Sequence, residues 1–197
     1  MIKDVFSRLK ISPRVVPETE PLNHHVSYNL ARGSCYLVLE PKASFGFEVF
    51  TSLVKGKCPD CNHREAFICE SIGCNRCSLP CPCKGCRNTR AQGLCFTMRS
   101  PIETRLNYTL QTTPIFWISN HGPDNVSPMD LEIISDIISK FLKQSRNPVV
   151  IVDGIEYLIF ENGYSSVLRF LKDAAEAMVL QNAIMILPVN QTAIEPK

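Results

Sequence analysis

The sequence predicts an α/β domain on a doubly wound, mainly parallel five-stranded sheet, interrupted by a small cysteine-rich, zinc-binding insert. Two observations carry the sheet. Short apolar runs alternate along the chain with segments of helical period, and the run beginning "NPVVIVDG" is too continuously apolar for a strand with one wet face. A third gives the insert: eight of the ten cysteines fall between residues 57 and 91, with strand-and-helix alternation on both sides. A length of 197 residues suits one buried core plus an appendage. An apolar content of 45% and a charged content of 20% exclude a disordered, collagen-like or coiled-coil chain.

The elements follow in order. "CYLVLE" (35–40) reads as a buried strand stopped by Pro41, and "ASFGFEVFTSLV" (43–54) as a helix with Phe47, Phe50, Leu53 and Val54 at helical spacing. "GLCFTM" (93–98) is a strand, "PIETRLNYTL" (101–110) a helix opened by Pro101, and "TPIFWIS" (113–119) a third strand. "SPMDLEIISDIISKFLKQSR" (127–146) predicts a helix with Ser127 as N-cap, Pro128 at its first position and Asp130 in place of the usual capping-box Glu. Leu131, Ile134, Ile137, Ile138 and Phe141 line one of its faces. "NPVVIVDGIEYLI" (147–159) is taken as the fourth strand. "SSVLRFLKDAAEAMVLQ" (165–181) is a helix with Val167, Phe170, Leu171, Ala174 and Met178 inward, and "AIMILPV" (183–189) a last strand ending at Pro188. Five strands and four helices in this alternation argue for right-handed crossovers and helices on both faces.

Residues 1–27 stand apart from the α/β domain of 28–197. Ile2, Val5, Phe6 and Leu9 are spaced for one short amphipathic helix, which needs a docking surface to be stable, and the proline-rich stretch after it reads as a linker. His24 and His25 lie in that linker and are not read as ligands. The N-terminus has charges where a signal peptide would be apolar, and no run approaches the length of a membrane span. The expectation is a cytoplasmic protein that does not engage the membrane.

The insert, residues 57–91, carries the strongest chemical signal. Cys58-x2-Cys61 and Cys74-x2-Cys77 form two C-x2-C pairs separated by twelve residues, the spacing with which paired thiolates close around one tetrahedral ion. Cys69, Cys81, Cys83 and Cys86 could complete a second four-thiolate site. Cys35 and Cys95 fall inside strands, where a free thiol behaves as a small hydrophobe. One or two zinc ions are the favoured cofactor. An iron–sulfur cluster takes the same ligand type, although "CNRCSLPCP" lacks one cysteine of the ferredoxin run. Disulfides are the alternative without metal and require an oxidising compartment or a hyperthermophilic host. The only sizeable aliphatic or aromatic side chains between Lys57 and Arg90 are Phe67, Ile68, Ile72 and Leu79. At about 1.5–3 kcal/mol each when buried, they cannot offset about 1.5 kcal/mol per ordered residue, so metal has to supply the difference.

Charge is unevenly spread. Residues 55–99 hold eight Lys/Arg against three acids, whereas residues 100–197 hold seven against eleven. The basic part is the cysteine-rich part, which suits an anionic contact or merely offsets metal-bound thiolates. Three functional classes stay open: a non-enzymatic regulatory or sensory domain whose insert meets a protein partner or small ligand; a nucleic-acid-binding zinc protein using Lys84, Arg87 and Arg90; and a redox or iron–sulfur sensing module.

Catalytic signals are sparse. Asp153 ends a predicted strand, where nucleotide triphosphatases keep a magnesium-holding acid, but the first strand leads into "EPKASFGFEVF", with one glycine and no Gly-Lys-Ser/Thr. Nucleotide hydrolysis is not expected, and no G-x-S-x-G or H-E-x-x-H occurs.

"GSCYLVLEPKASFGFEVFTSLV", "GLCFTMRSPIE", "TPIFWIS" and above all "VVIVDGIEYLIFENGYSSVLRFLKDAAEAMVLQNAIMILPVN" resemble the archaeal family called domain of unknown function 835, over roughly residues 28 to 192. The resemblance implies a RecA-like, Rossmann-like core without the phosphate-binding loop, attached in many members to signalling modules, in an archaeal cytoplasm and without established catalysis. Its arginine-and-proline turn after the second strand is similar to "TMRSP", which makes Arg99, like Asp153 at a strand end, a candidate for ligand binding, here of an anion, with a structural surface arginine as the alternative. The cysteine-rich insert departs from the family pattern.

Overall fold

The computed structural model describes residues 14–15, 30–54, 91–110, 112–122 and 125–190. The strands are β1 (Arg14–Val15), β2 (Ser34–Leu39), β3 (Gln92–Thr97), β4 (Ile115–Ile118), β5 (Asn125–Val126), β6 (Pro148–Val152) and β7 (Ile184–Val189). The helices are α1 (Phe45–Val54), α2 (Pro101–Tyr108), α3 (Leu131–Gln144), α4 (Ile155–Asn162) and α5 (Tyr164–Leu180). The strands form one sheet in the order β1-β2-β7-β6-β3-β4-β5, and every pairing is parallel.

The five expected strands are the middle five. The sheet is wider than expected because two-residue strands pair at each edge: Arg14–Val15, in the segment read as linker, lies beside Val38–Leu39, and Asn125–Val126 beside Trp117–Ile118. The sheet is wholly rather than mainly parallel.

Alternation along each strand feeds two cores. Leu94 and Phe96 of β3, Val150 and Val152 of β6, and Met185 and Leu187 of β7 face α3, α4 and α5, against Ile134, Ile138, Leu158, Phe170 and Met178. Cys95, Val149, Ile151, Ile184 and Ile186 face the other way, against Phe47 and Phe50 of α1. Burying apolar side chains on both faces is what the continuous runs in β6 and β7 require.

Three expectations need correction. The run 147–159 is not one strand: β6 stops at Val152, and Ile155–Asn162 is α4, a fifth helix. Gly154, at φ 111°, makes the break, a conformation that a side chain with Cβ resists. Next, α3 begins at Leu131 and not just after Ser127. Ser127 instead closes a tight turn, its hydroxyl accepting from Met129 N (3.3 Å) and its carbonyl from Asp130 N (3.1 Å). Finally, β7 runs on through Pro188 to Val189, with Pro188 opposite Val38. The β6 pairing has ended at Ile186, so Pro188 has a strand on one side only, where a missing N–H is tolerated.

Candidate functional site

Parallel α/β sheets bind ligands at the carboxyl ends of strands where neighbouring connections leave to opposite faces. Here β3 passes the chain to α2 on one face, while its neighbour β6 passes it to α4 on the other. Asp153 follows β6 and Thr97 ends β3, so the switch point brings them together. The Thr97 hydroxyl, fully buried, donates to Asp153 Oδ2 at 2.8 Å, and the Asp153 N–H donates to Phe96 O at 2.9 Å.

Arg99 lies in the same crevice. Its Nε is 3.9 Å from Asp153 Oδ2, its Nη1 donates to the Tyr108 hydroxyl at 3.0 Å, and its Nη2 donates to Ala43 O. The guanidinium carbon stands 5.2 Å from the centre of the Phe47 ring, which itself stacks on Tyr108 at 4.5 Å. One arginine thus ties the β3–α2 turn to the start of α1 and the end of α2. Burial pushes the Asp153 carboxyl above its ordinary value. The Thr97 hydrogen bond and the Arg99 charge draw it partly back, and Glu156 and Glu40 add to the rise.

The first strand–helix turn, where a phosphate loop would lie, is filled from within. Glu40 follows β2, and its carboxylate accepts the backbone N–H groups of Ser44 (2.9 Å), Phe45 (2.8 Å) and Gly46 (2.9 Å). Three amides at a helix N-terminus are what an oxyanion would seek there. The chain supplies its own. Gly46 makes the turn close: a Cβ built on it would lie 2.6 Å from the Pro188 ring.

Sequence reasoning found Asp153 and Arg99, which the fold sets side by side. It missed Thr97, Tyr108 and Glu40. The "EPKAS" segment carried the signal for Glu40, a carboxylate just before a helix start. Cys35 and Cys95 are buried free thiols in β2 and β3, and burial pushes the Cys35 thiol up to about 12 and raises that of Cys95 as well. Neither is suited to hold a metal as thiolate. Among the described residues no three His, Cys, Asp or Glu side chains come together as a metal site. Cys58, Cys61, Cys69, Cys74, Cys77, Cys81, Cys83 and Cys86 lie outside the described residues, as do Lys84, Arg87, Arg90, His24, His25 and the N-terminal helix.

The described chain on either side of residues 55–90 is nevertheless defined. A Cβ built on Gly93 would lie 2.7 Å from Phe50 Cζ and 2.8 Å from Val54 Cγ2. Val54, the last residue of α1, therefore packs beside the first residues of β3. That junction is at the amino ends of the strands, opposite Asp153. No helix among the described residues is long and apolar enough to cross a membrane.

Fold and site together define a doubly wound, all-parallel α/β domain with an acid, a threonine and an arginine at its switch point. Residues 84–197, more than half of the chain, match the family model described as "Protein of unknown function (DUF835)", and the chain belongs to that family. The match covers β3 to β7. The first unit, β2 and α1, lies outside it, although β2 is hydrogen-bonded to β7 in the same sheet. No curated protein matches the chain.

Proposed function

We propose that this protein is a non-enzymatic regulatory or sensory domain of archaeal type, in which a RecA-like sheet is the scaffold and the cysteine-rich insert the working part. In this reading the eight insert cysteines hold one or two zinc ions, and the metal keeps a basic surface in place for a protein partner or small ligand. The observation that supports it most is Glu40. With its carboxylate on the amides of Ser44, Phe45 and Gly46, the turn that would cradle a nucleotide phosphate holds an anion of the chain itself. The switch-point groups are likewise engaged with one another, since Thr97 and Arg99 both address Asp153.

Elemental analysis and a visible spectrum of protein purified without oxygen test the metal half. Zinc at about one or two ions per chain with no visible colour is expected. A broad absorption near roughly 400 nm with bound iron would replace the zinc reading by a cluster-based sensor. Thermal unfolding with magnesium and ATP tests the other half. The melting temperature should not move, and a saturable rise would restore the sheet as a nucleotide site.

A further inference from the structure

We propose that the corner formed by the start of α3 and the α4–α5 junction is a docking surface for a lysine- and arginine-rich amphipathic segment of a partner protein. Four large apolar side chains face solvent there: Met129 at 62% exposure, Ile133 at 50%, Phe160 at 83% and Tyr164 at 36%. Met129 lies two residues before the start of α3 and Ile133 lies in its first turn. Phe160 lies in the last turn of α4, and Tyr164 opens α5. Asn162 Nδ2 donates to Pro128 O at 2.8 Å and so fastens the end of α4 to the segment that leads through Met129 into α3. At the α4–α5 junction Gly163 leaves open space, with nothing within 4 Å of a built Cβ.

Charge selects the partner. The stretches that carry the four apolar side chains, residues 127–139 and 160–168, hold four acids between them and no Lys or Arg. Asp130, Glu132 and Asp136 are exposed among the apolar groups, and Glu161 sits beside Phe160, half-buried. The other exposed apolar pairs lack this one-signed setting. Ile102 and Leu106 alternate with Glu103 and Arg105 on α2, and Val179 and Leu180 follow Lys172 and Glu176 on α5. An exposed aromatic anchor in an acidic rim fits an amphipathic segment that presents one apolar face flanked by cations. The apolar contacts supply affinity, and the charges supply encounter rate and selection. The proposal does not rest on zinc.

The test uses the full chain and a fluorescein-labelled, leucine- and lysine-patterned amphipathic peptide of about 18 residues, with a leucine- and glutamate-patterned peptide as control, read by anisotropy. The lysine peptide should bind saturably and the glutamate peptide should not. Phe160→Ser should weaken binding by at least ~10-fold, and Glu132→Lys should weaken it more at low salt than at high. Val179→Ser, elsewhere on the surface, should leave binding unchanged. The exposure of these positions leaves the fold intact, which an unchanged melting temperature verifies. The proposal fails if both peptides bind alike, if neither binds, or if Val179→Ser matches Phe160→Ser. It fails equally if sedimentation shows self-association that Phe160→Ser abolishes, since the occupant would then be a second copy of this chain.

Discussion

Thr97 and Asp153, far apart in sequence, are joined by a 2.8 Å hydrogen bond because β3 and β6 are neighbours in the sheet. That bond lies at the switch point of the fold, and Arg99 reaches the same carboxylate oxygen from the β3–α2 turn. The cluster holds a buried acid whose proton affinity differs between folded and unfolded chain.

The sign of that difference gives a pH prediction. Burial raises the Asp153 carboxyl above its ordinary value of 3.8, so the folded chain keeps a proton that the unfolded chain has already released. Its contribution to stability is therefore greatest in acid, declines as pH rises through the folded value, and is level above it. Asp153→Asn retains an acceptor for Thr97 and has no charge to desolvate. Measured by urea unfolding, its stability relative to the parent should increase between about pH 3 and about pH 7. An equal difference at both ends would mean that Arg99 and Thr97 fully compensate the burial.

Glu40→Ala leaves the amides of Ser44, Phe45 and Gly46 without their acceptor. A loss of about 1–2 kcal/mol is expected, as for removal of a helix cap. Glu40→Gln, whose amide oxygen can still accept, should lose less. Denaturant melts of the two variants at one pH decide, and equal losses would assign the effect to charge alone.

At an exposed helix position Gly→Ala stabilises by about 1 kcal/mol. Gly46→Ala should do the opposite, because the new methyl would meet the Pro188 ring at 2.6 Å and Glu40 Oε1 at 3.0 Å. A destabilisation of about 1–3 kcal/mol is expected, typical of overpacking against a rigid neighbour. A rise in melting temperature would show that α1 can shift off β7.

The proposed metal implies a division of labour between the sheet and the cysteine-rich segment that a chelator tests. A chelator should open cleavage sites for trypsin between Val54 and Ala91 while the β6–β7 core keeps its protease resistance. Unchanged resistance of that segment would overturn the assignment of structural metal.

Much of the fold was legible because its signals are local. Ile134, Ile138 and Leu142 in α3, and Val167, Phe170, Leu171, Ala174 and Met178 in α5, mark their buried faces by period alone. Helix α4 was not legible, because "IEYLIF" continues the apolar run of β6 and only the Asp153–Gly154 pair signals a turn. In the site, Asp153 could be found as an acid after an apolar strand. Its partners could not, since Thr97 and Arg99 meet it through a strand order that no single stretch encodes. Glu40 was visible as a residue where a phosphate loop lacks glycine, but its role as occupant depends on the angle at which α1 leaves β2.

The contact between Val54 and the start of β3 has a consequence for how this chain can vary. A segment whose two ends are already side by side behaves as a plug-in module, because its length adds little to the entropy of closing the loop, about 0.6 kcal/mol for each doubling. Shorter or longer segments could be exchanged at that port with both points of attachment left where they are.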